Sequence, residues 1–533
     1  MIRKFSSYGP VDINQHYYAP REALIELGLQ LLVGENPEQS GHYITVWAPR
    51  QRGKTWVMQQ VLYRLNHESA HAHFNAVKIN LEHLKLVQDV DQVVVAIAKE
   101  LMQELGLSGI QVNTLADFYN IFRRTVLAKP LILILDEFDA LTPAAISGIA
   151  SVFRNIYNNR RDQFDQPTQE KEYLLHGVAL IGVRSVLGIE NATGSPFNVQ
   201  RSLHIPNLTI EEAKELFRWY EQESGQRVES GVIDQLYAEV LGQPGLTSWF
   251  GELLTETYNK RQPTITPRDF EIAYAAAVNF LPNATIVNLI SKAKQEPYQT
   301  LVLELFQTDE KQPFRYDDNR INFLYMHGVI DVEVVNEVEY YARFACPFVQ
   351  KRLFNYFAYE FFRDVGKTHK SFENLDDTVT ESTLSIYHLL RRYERYLREN
   401  RAWLFQAIPR RSDLRPYEAL YHFNLYRFLT NFLDSFGVQL IPEFPTGNGK
   451  IDLLFRHANQ RYGLELKTYS TRPAYHRALQ QAALYGQQIH LNEIWVAFFV
   501  EEIDDNNRQT YETVYLDATT GVTVRPVFVA TST

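Results

Sequence analysis

The sequence predicts a multidomain α/β protein whose N-terminal part is built on a parallel sheet. Residues 43–58, "YITVWAPRQRGKTWVM", read as a strand, a turn and a helix, and residues 131–141, "LILILDEFDAL", form an aliphatic run that ends in two carboxylates. Such an uninterrupted aliphatic run is typical of a strand buried on both faces of a parallel sheet. A further helix, strand, strand, helix, strand order near the C-terminus predicts a second α/β domain. With 533 residues, the chain is long enough for roughly three or four domains.

The composition is that of a globular protein, with 45% hydrophobic and 13% aromatic residues. We find no signal-peptide pattern and no apolar run long enough to span a membrane, so we expect a cytoplasmic protein without a membrane partner. The single cysteine, Cys346, excludes a disulfide within the chain and is expected to be a core thiol. The net charge of −10 counts against a strongly basic nucleic-acid binder, although local basic patches remain compatible with it.

The turn at residues 48–55 has the chemistry of a phosphate-binding loop. Backbone N–H groups of such a turn and the positive end of the following helix hold phosphate oxygens, Lys54 reaches the outer phosphates, and the Thr55 hydroxyl can bind Mg²⁺. Ala48 stands where the full motif has its first glycine. The alternative is an ordinary basic turn before a helix. The predicted nucleotide-binding residues are Ala48, Arg50, Gln51, Arg52, Gly53, Lys54, Thr55 and Asp136.

The carboxylates Asp136 and Glu137 lie at the C-terminal end of the aliphatic strand, where parallel sheets place their ligands. Asp136 is predicted to hold Mg²⁺ together with Thr55, and Glu137 to polarise the water that attacks the γ-phosphate. A buried strand that stops at a charged loop is the alternative, but the two motifs in this order favour Mg·ATP. Residues 76–81, "AVKINL", and 177–183, "GVALIGV", predict further strands of a five-stranded parallel sheet.

These motifs, with "KFSSYGPVDINQHYYAPRE", "IGVRSV", "SPFN" and "GQPGL", resemble AAA-type ATPases of the archaeal-ATPase and origin-recognition-like group. The resemblance covers about residues 1–280 and implies a P-loop ATPase domain at 1–208 and a helical lid at 209–282. It also implies that residues 182–185 sense the γ-phosphate and that the protein forms a homo-oligomer in which a neighbour contributes to the site. The candidates for a trans-acting arginine are Arg154, Arg160, Arg161 and Arg201, and the alternative for each is a solvated or paired surface residue.

Residues 283–360 predict a small winged-helix-like module, with two β-rich pieces at 329–334 and 338–344. Such a module either lies in a DNA groove or packs against its neighbours, and the lack of a basic recognition helix favours packing. A helical linker is predicted at 361–410. Its arginine-dense helix, "IYHLLRRYERYLRENR" at 386–401, either forms ion pairs with Glu394 and Glu399 or contacts phosphates.

A second set of carboxylates lies near the C-terminus, after a glycine turn at 447–449. Asp452 stands on one strand, and Glu465 and Lys467 on the next, two residues apart and therefore on one face. If the strands form a hairpin, Asp452 lies beside Glu465, and two adjacent carboxylates favour a divalent metal between them. Lys467 would then orient the attacking water and stabilise the charge of the transition state.

This arrangement resembles the PD-(D/E)xK nuclease fold, with Ile451 in place of the proline that names the motif. The resemblance covers about residues 411–533 and implies a restriction-endonuclease-like domain with Mg²⁺ or Mn²⁺ at Asp452 and Glu465. It adds Glu418 as a further acid on the preceding helix, and Gln481 and Tyr485 on the following helix, as in the RecB-related group. Each of these motifs, taken alone, also occurs in ordinary strands that have no catalytic role.

The sequence thus predicts an ATP-regulated, metal-dependent nuclease acting on nucleic acid, with DNA as the expected partner and defence against foreign DNA as a role suggested by analogy. Two alternatives remain open. One is a regulatory ATPase that binds DNA or protein and uses a silent nuclease-like domain for docking, and the other is an RNA-directed nuclease or toxin.

Overall fold

The chain divides into two units, residues 1–275 with 325–328, and residues 276–324 with 329–533. The structure is a computed structural model that describes residues 3–7, 9, 11–182, 201–306, 311–366, 368–406, 408–411, 416–446 and 449–531, without the side chains of 443–446, 449 and 450. The predicted sensor residues 183–185, the "SPFN" segment and most of the 447–449 turn lie outside the described residues.

Up to Asn279, the described part of the chain contains a series of α-helices and strands. These are α1 Glu22–Val33, β1 Tyr43–Trp47, α2 Lys54–His67, β2 Asn75–Asn80, α3 Val90–Glu104, β3 Leu131–Asp136, α4 Pro143–Asp162, β4 Leu175–Gly182, β5 Ser202–His204, α5 Ile210–Ser224, β6 Arg227–Val228, α6 Ser230–Val240, α7 Pro244–Glu252, β7 Thr264–Ile265 and α8 Pro267–Asn279. Helices α5 to α8 correspond to the predicted lid.

The sheet of the first unit has the order β2-β3-β4-β1-β5, and its strand pairs are all parallel. The prediction of a five-stranded parallel sheet is confirmed. Strands β3 and β4 are buried along their whole length, which explains the unbroken aliphatic run of residues 131–135 in β3. Separate hydrophobic clusters contain Leu133 and Ile134, neighbours on β3, because successive side chains point to opposite faces of the sheet.

The rest of the chain continues with sixteen elements. They are α9 Ala284–Ala293, α10 Tyr298–Leu305, α11 Asn319–Met326, β8 Ile330–Val335, β9 Glu339–Phe344, α12 Pro347–Phe361, α13 Ile386–Leu404, α14 Glu418–Leu433, β10 Gln439–Thr446, β11 Gly449–His457, β12 Gln460–Thr468, α15 Arg472–Gln488, β13 Glu493–Val500, α16 Asp505–Tyr511, β14 Tyr515–Leu516 and β15 Thr523–Ala530. Strands β8 and β9 form the antiparallel hairpin of the predicted winged-helix-like module.

The sheet of the second unit has the order β10-β11-β12-β13-β15-β14. Strands β10, β11 and β12 are antiparallel neighbours, whereas β12, β13 and β15 run parallel. The predicted order of helix, strand, strand, helix, strand is present as α14, β11, β12, α15 and β13, with β10 inserted after α14. The buried face of α15 packs on this sheet through residues such as Leu479 and Ala483.

The predicted linker at 361–410 contains α13, which belongs to the second unit. Arg391 on α13 donates to the Phe528 carbonyl at 2.7 Å, and Tyr393 donates to Asn424 Oδ1 at 2.9 Å. These contacts fix α13 to β15 and to α14, so this helix forms part of the C-terminal fold.

Across the described residues, no individual helix has the length and apolar composition of a membrane span, although the bent pair Pro267–Asn279 and Ala284–Ala293 meets that test jointly.

Candidate functional site

The loop between β1 and α2 leaves open space in front of the helix. Gly53, which precedes α2, has φ 87°, a conformation that glycine adopts readily. A Cβ at this position would meet no atom within 4 Å among the described residues. Gln51 also lies in the left-handed region, with φ 58°. The backbone therefore turns tightly before an uncovered helix N-terminus, as a phosphate site requires.

Lys54 is held inside this loop. Its Nζ donates to the Ala48 carbonyl at 2.8 Å and to the Pro49 carbonyl at 3.2 Å. Burial lowers the pKa of Lys54 to about 8, against the opposing effect of the nearby carboxylates Asp139, Glu137 and Asp136. A phosphate placed at this loop would offer the ammonium a stronger partner than two neutral carbonyls.

Asp136 ends the buried strand β3 and is 1% exposed. Its Oδ1 lies 3.4 Å from Thr55 Oγ1, and its Oδ2 lies 2.9 Å from Lys78 Nζ. A hydroxyl and a carboxylate oxygen at this separation are the hard donors that Mg²⁺ prefers. The residues present therefore fit Mg·ATP, with Thr55 and Asp136 as the protein groups that would hold the metal.

Glu137 follows with φ 55°, and its N–H donates to Asp136 Oδ1 at 3.1 Å. Burial and the neighbouring Asp139 raise the pKa of Glu137, which suits a residue that must accept a proton from water. Sequence reasoning missed Asp139, whose side chain packs on the end of β4, since a Cβ at Gly182 would lie 2.8 Å from Asp139 Oδ1. It also missed Lys78, although a lysine between the apolar residues Val77 and Ile79 of β2 could have indicated a functional contact.

The lid contacts the phosphate loop through the first turn of α7. The Gly245 N–H donates to the Gln51 carbonyl at 3.2 Å. A Cβ at Gly245 would lie 2.3 Å from Gln51 Oε1 and 2.8 Å from Gln51 Cβ. The glycine of "GQPGL" is therefore required for this close approach, and the loop and α7 are expected to move together.

The structure gives the four candidate arginines different environments, and Arg154 is exposed on α4. Arg160 is fully buried and donates to the Gln39 carbonyl at 3.2 Å and to Thr168 Oγ1 at 2.7 Å. The prediction that Arg160 reaches a neighbouring subunit is wrong, because its buried guanidinium binds α4 to other parts of its own domain. Arg201 pairs with Glu35 at 3.1 Å, and the guanidinium of Arg161 lies 5.9 Å from the Tyr157 ring.

In the second unit, Leu453 on β11 is paired with Leu464 on β12. Asp452 and Glu465 are the next residues on these two strands. Asp452 Oδ2 accepts the Leu466 N–H at 2.7 Å, whereas its buried Oδ1 accepts no hydrogen bond from the residues that the structure describes. Glu465 Oε1 lies 3.2 Å from Lys467 Nζ. Asp452, Glu465 and Lys467 are each at most 2% exposed. Strand pairing thus brings the three predicted residues into one buried cluster.

Glu418 is the first residue of α14 and lies close to Lys467 and Thr468. Burial alone would raise the pKa of Glu418, but His422, Lys467 and Thr468 outweigh it and lower the pKa. His422 Nε2 lies 3.6 Å from Glu418 Oε1. Sequence reasoning missed His422, although its position one helical turn after Glu418 placed the two on one face.

Gln481 and Tyr485 on α15 complete the cluster. Gln481 Nε2 donates to the Tyr485 hydroxyl at 2.8 Å. Burial raises the pKa of Tyr485 to about 12, and the charge of Glu465 adds to this increase. The charges of Lys467 and Asp452 also affect the pKa of Tyr485, although less than its burial does.

Within the described part of the chain, no group of three or more His, Cys, Asp and Glu side chains is arranged to hold a metal. The predicted pair Asp452 and Glu465 supplies two carboxylates. The unpartnered Oδ1 of Asp452 fits a cation, because a buried carboxylate oxygen is otherwise left unsatisfied. The nuclease metal site stays a prediction.

Residues 6–259 match the family described as the AAA-like domain. A curated relative, an uncharacterized WD repeat-containing protein of Synechocystis, is 25% identical over 274 residues, which are 47% of this chain and 21% of the relative. The chain therefore spans about a fifth of that relative. The matched residues lie in the first unit and support an AAA-like ATPase there, a fold that implies ATP binding, usually with Mg²⁺.

Three solved structures are similar to this chain. The ORC1 protein of Aeropyrum pernix, in complex with DNA, is 16% identical with a TM-score of 0.35, covering 63% of this chain and 93% of its own. The Walker-type ATPase of Pyrococcus abyssi is 14% identical with a TM-score of 0.39, covering 66% and 99%. The RuvB branch migration motor of Thermotoga maritima is 13% identical with a TM-score of 0.34, covering 62% and 94%.

Proposed function

We propose that this chain, which carries an AAA-like ATPase domain in residues 6–259, is an ATP-regulated, metal-dependent nuclease that hydrolyses phosphodiester bonds in DNA. The observation that carries the proposal is the buried cluster of Asp452, Glu465 and Lys467 at adjacent strands. Burying two carboxylates and a lysine in a sheet is unfavourable unless they serve one another or a ligand. A purely structural sheet would be more stable with apolar residues at these positions.

Each residue of the cluster has a distinct part in this proposal. Asp452 and Glu465 would hold a divalent metal, which when bound stabilises negative charge and lowers the pKa of a bound water. Lys467 places a positive charge next to Glu465, where it orients water and stabilises the pentacovalent transition state. Tyr485, held by Gln481, positions the substrate phosphate. Glu418 keeps its negative charge beside Lys467 because its pKa is lowered.

The ATPase site supplies the regulation. Lys54 exchanges its two loop carbonyls for nucleotide phosphates, and Glu137 polarises the attacking water. Because Gly245 of the lid is bound to Gln51 of the loop, a change of loop conformation on nucleotide binding is passed to α7. Assembly into a homo-oligomer and a role against foreign DNA extend the proposal.

One specific observation favours a second candidate, a regulatory ATPase with a silent nuclease-like domain. The Lys467 ammonium lies on Glu465, and among the described residues no third metal-binding side chain joins the two carboxylates. In that case the cluster would be a buried ion pair that only helps to specify the fold.

Cleavage of plasmid, linear duplex and single-stranded DNA with Mg²⁺ or Mn²⁺ tests the proposal. Asp452→Ala should abolish cutting and leave ATP turnover intact, whereas Asp434→Ala, at a position just after α14, serves as the control and should cut like the parent. If Asp452→Ala cuts as well as the parent, this site is not the nuclease centre. ATP turnover without DNA cleavage by the parent would favour the regulatory ATPase.

A further inference from the structure

The arginines of α13 fall into two groups. The three in its first half are neutralised within the fold: Arg391 pairs with Glu394 at 3.0 Å, Arg392 with Asp377 at 2.7 Å and Arg395 with Glu373 at 2.6 Å. Of the two partners expected from the sequence, Glu394 pairs with Arg391, whereas Arg392 and Arg395 pair with carboxylates outside the helix. This half of α13 stabilises the C-terminal fold and is not available to a ligand.

The second half of α13 differs. Arg398 is exposed and Arg401 half-buried, and across the described ranges neither has a carboxylate within ion-pair distance. Glu399 lies beside them on the helix.

The same basic character continues along the chain into the candidate nuclease site. Residues 398–415 contain five arginines, and Glu418 follows three residues later. Arg410 donates to the Phe405 carbonyl at 3.1 Å, and the Phe405 ring lies 5.3 Å from the Tyr421 ring. Tyr421 follows Glu418 by one turn of α14, so the end of α13 packs on the helix that carries the predicted acid.

Charges on this segment reach α14. Burial raises the pKa of Tyr421, while Arg401 and Arg410 act to lower it and Glu501 acts to raise it. These electrostatic effects agree with the contact between the Phe405 and Tyr421 rings, which places the end of α13 against α14.

We infer that Arg398 and Arg401, which lie one helical turn apart on the same side of α13, form the surface that holds the sugar–phosphate backbone of DNA beside the Glu418 end of the C-terminal site. This inference rests on the proposed nuclease function for its substrate, but it concerns binding and not bond cleavage. Guanidinium groups bind phosphates in two-point contacts, and they supply an affinity that is independent of sequence and sensitive to salt. The surface is called the arginine surface below.

The test is the binding of fluorescently labelled single-stranded and duplex DNA to the full chain in EDTA, so that no cutting takes place. Arg398→Ala with Arg401→Ala should weaken binding about tenfold and reduce the slope of log affinity against log salt by about 1.4 for single strands or 1.8 for duplex. Circular dichroism and melting temperature should match the parent, since neither side chain is held in an ion pair.

The matched control removes the same charge elsewhere on this unit. Arg456 and Arg461 form a cross-strand pair on β11 and β12, each four residues from the catalytic cluster, or about 13 Å at the rise of a strand. Arg456→Ala with Arg461→Ala should leave the salt slope almost unchanged. The arginine surface would be overturned if the two double variants weakened DNA binding equally, or if neither of them weakened it.

The two proposals fail separately. A parent protein that binds DNA through Arg398 and Arg401 but does not cut it with any metal supports the arginine surface and overturns the nuclease. A protein that cuts DNA, while the Arg398→Ala and Arg401→Ala double variant binds and cuts like the parent, overturns the arginine surface and supports the nuclease.

Discussion

Lys54 is charged or neutral according to what occupies the phosphate loop. Its pKa of about 8 without ligand results from burial, and a bound phosphate would favour the ammonium and raise that pKa. At a pH between the pKa of Lys54 without ligand and its pKa with bound phosphate, nucleotide binding is accompanied by proton uptake. Affinity for ATP is therefore full below about pH 8 and falls as the pH rises above it.

We predict that the dissociation constant for ATP rises by up to about tenfold per pH unit above pH 8, since each unit corresponds to a factor of ten in the ammonium population. Isothermal titration calorimetry at neutral and alkaline pH, in buffers of different ionisation enthalpy, measures both the affinity and the proton uptake. Lys54→Arg is the control, because its guanidinium stays charged. A parent affinity that does not change from pH 7 to pH 9 would contradict this account of Lys54.

For single residues, the sequence placed the members of both candidate sites together but did not identify all their partners. Asp452, Glu465 and Lys467 could be placed together because strand pairing and a period of two are local rules. Lys78 could not be assigned to Asp136, because that contact depends on which strands are neighbours in the sheet. His422 was predictable from its spacing to Glu418, yet its role depends on burial, which the spacing does not reveal.

At the scale of elements, the contact between α7 and the phosphate loop depends on a missing side chain. Gly245→Ala would place a methyl group within 3 Å of Gln51, so the first turn of the lid helix must move away from the loop. We expect ATP turnover to fall severalfold while the melting temperature changes little, since a surface turn and not a core is displaced. Steady-state ATPase rates measure this effect. Ser248→Ala, on the same helix, is the control. Unchanged turnover would mean that the contact does not couple lid and loop.

Helix α13 illustrates what local sequence patterns cannot predict about elements. The hydrophobic period of its sequence correctly predicted a helix. The sequence did not reveal which residues α13 contacts, and the helix was therefore described as part of a linker. Glu394 accepts from Arg508 Nη2 at 2.8 Å and from the Ala530 N–H at 2.8 Å, more than 110 residues further along the chain. Long-range pairings of this kind place α13 within the C-terminal fold.

Glu394→Ala should destabilise the second unit. Burial alone would raise the pKa of Glu394, but hydrogen bonds from Arg508 and Ala530 outweigh it and lower the pKa. Its contribution is therefore present above the unfolded pKa and is lost as the pH falls through the folded value. We expect the free energy of unfolding to fall by about 3 kcal/mol at neutral pH, because two arginines lose a buried partner, and the difference to shrink in acid.

Urea unfolding followed by circular dichroism at neutral and acid pH measures this change. The exposed Glu399 on the same helix provides the control, since Glu399→Ala should alter stability by less than about 0.5 kcal/mol. A variant at Glu394 that unfolds at the same urea concentration as the Glu399 variant would show that α13 is not held by this network.

At the scale of the whole molecule, the chain joins a P-loop sheet in one unit to a mixed sheet with buried carboxylates in the other. The order of both sets of elements could be predicted, because hydrophobic periodicity and motif position are properties of the sequence. The division at residue 275 and the membership of α13 could not, because they depend on which distant segments pack together. Part of the predicted sensor lies outside the described residues and stays a prediction.

We propose that ATP bound at Lys54 controls DNA cleavage at Lys467, and this proposal is tested by the rate of DNA cleavage with Mg²⁺ or Mn²⁺, with and without ATP, for the parent, Lys467→Ala and Lys54→Ala. Lys467→Ala should abolish cutting under every condition, and Lys54→Ala should remove the response of cutting to ATP. Cutting that survives Lys467→Ala, or that responds to ATP equally in the parent and in Lys54→Ala, would contradict it.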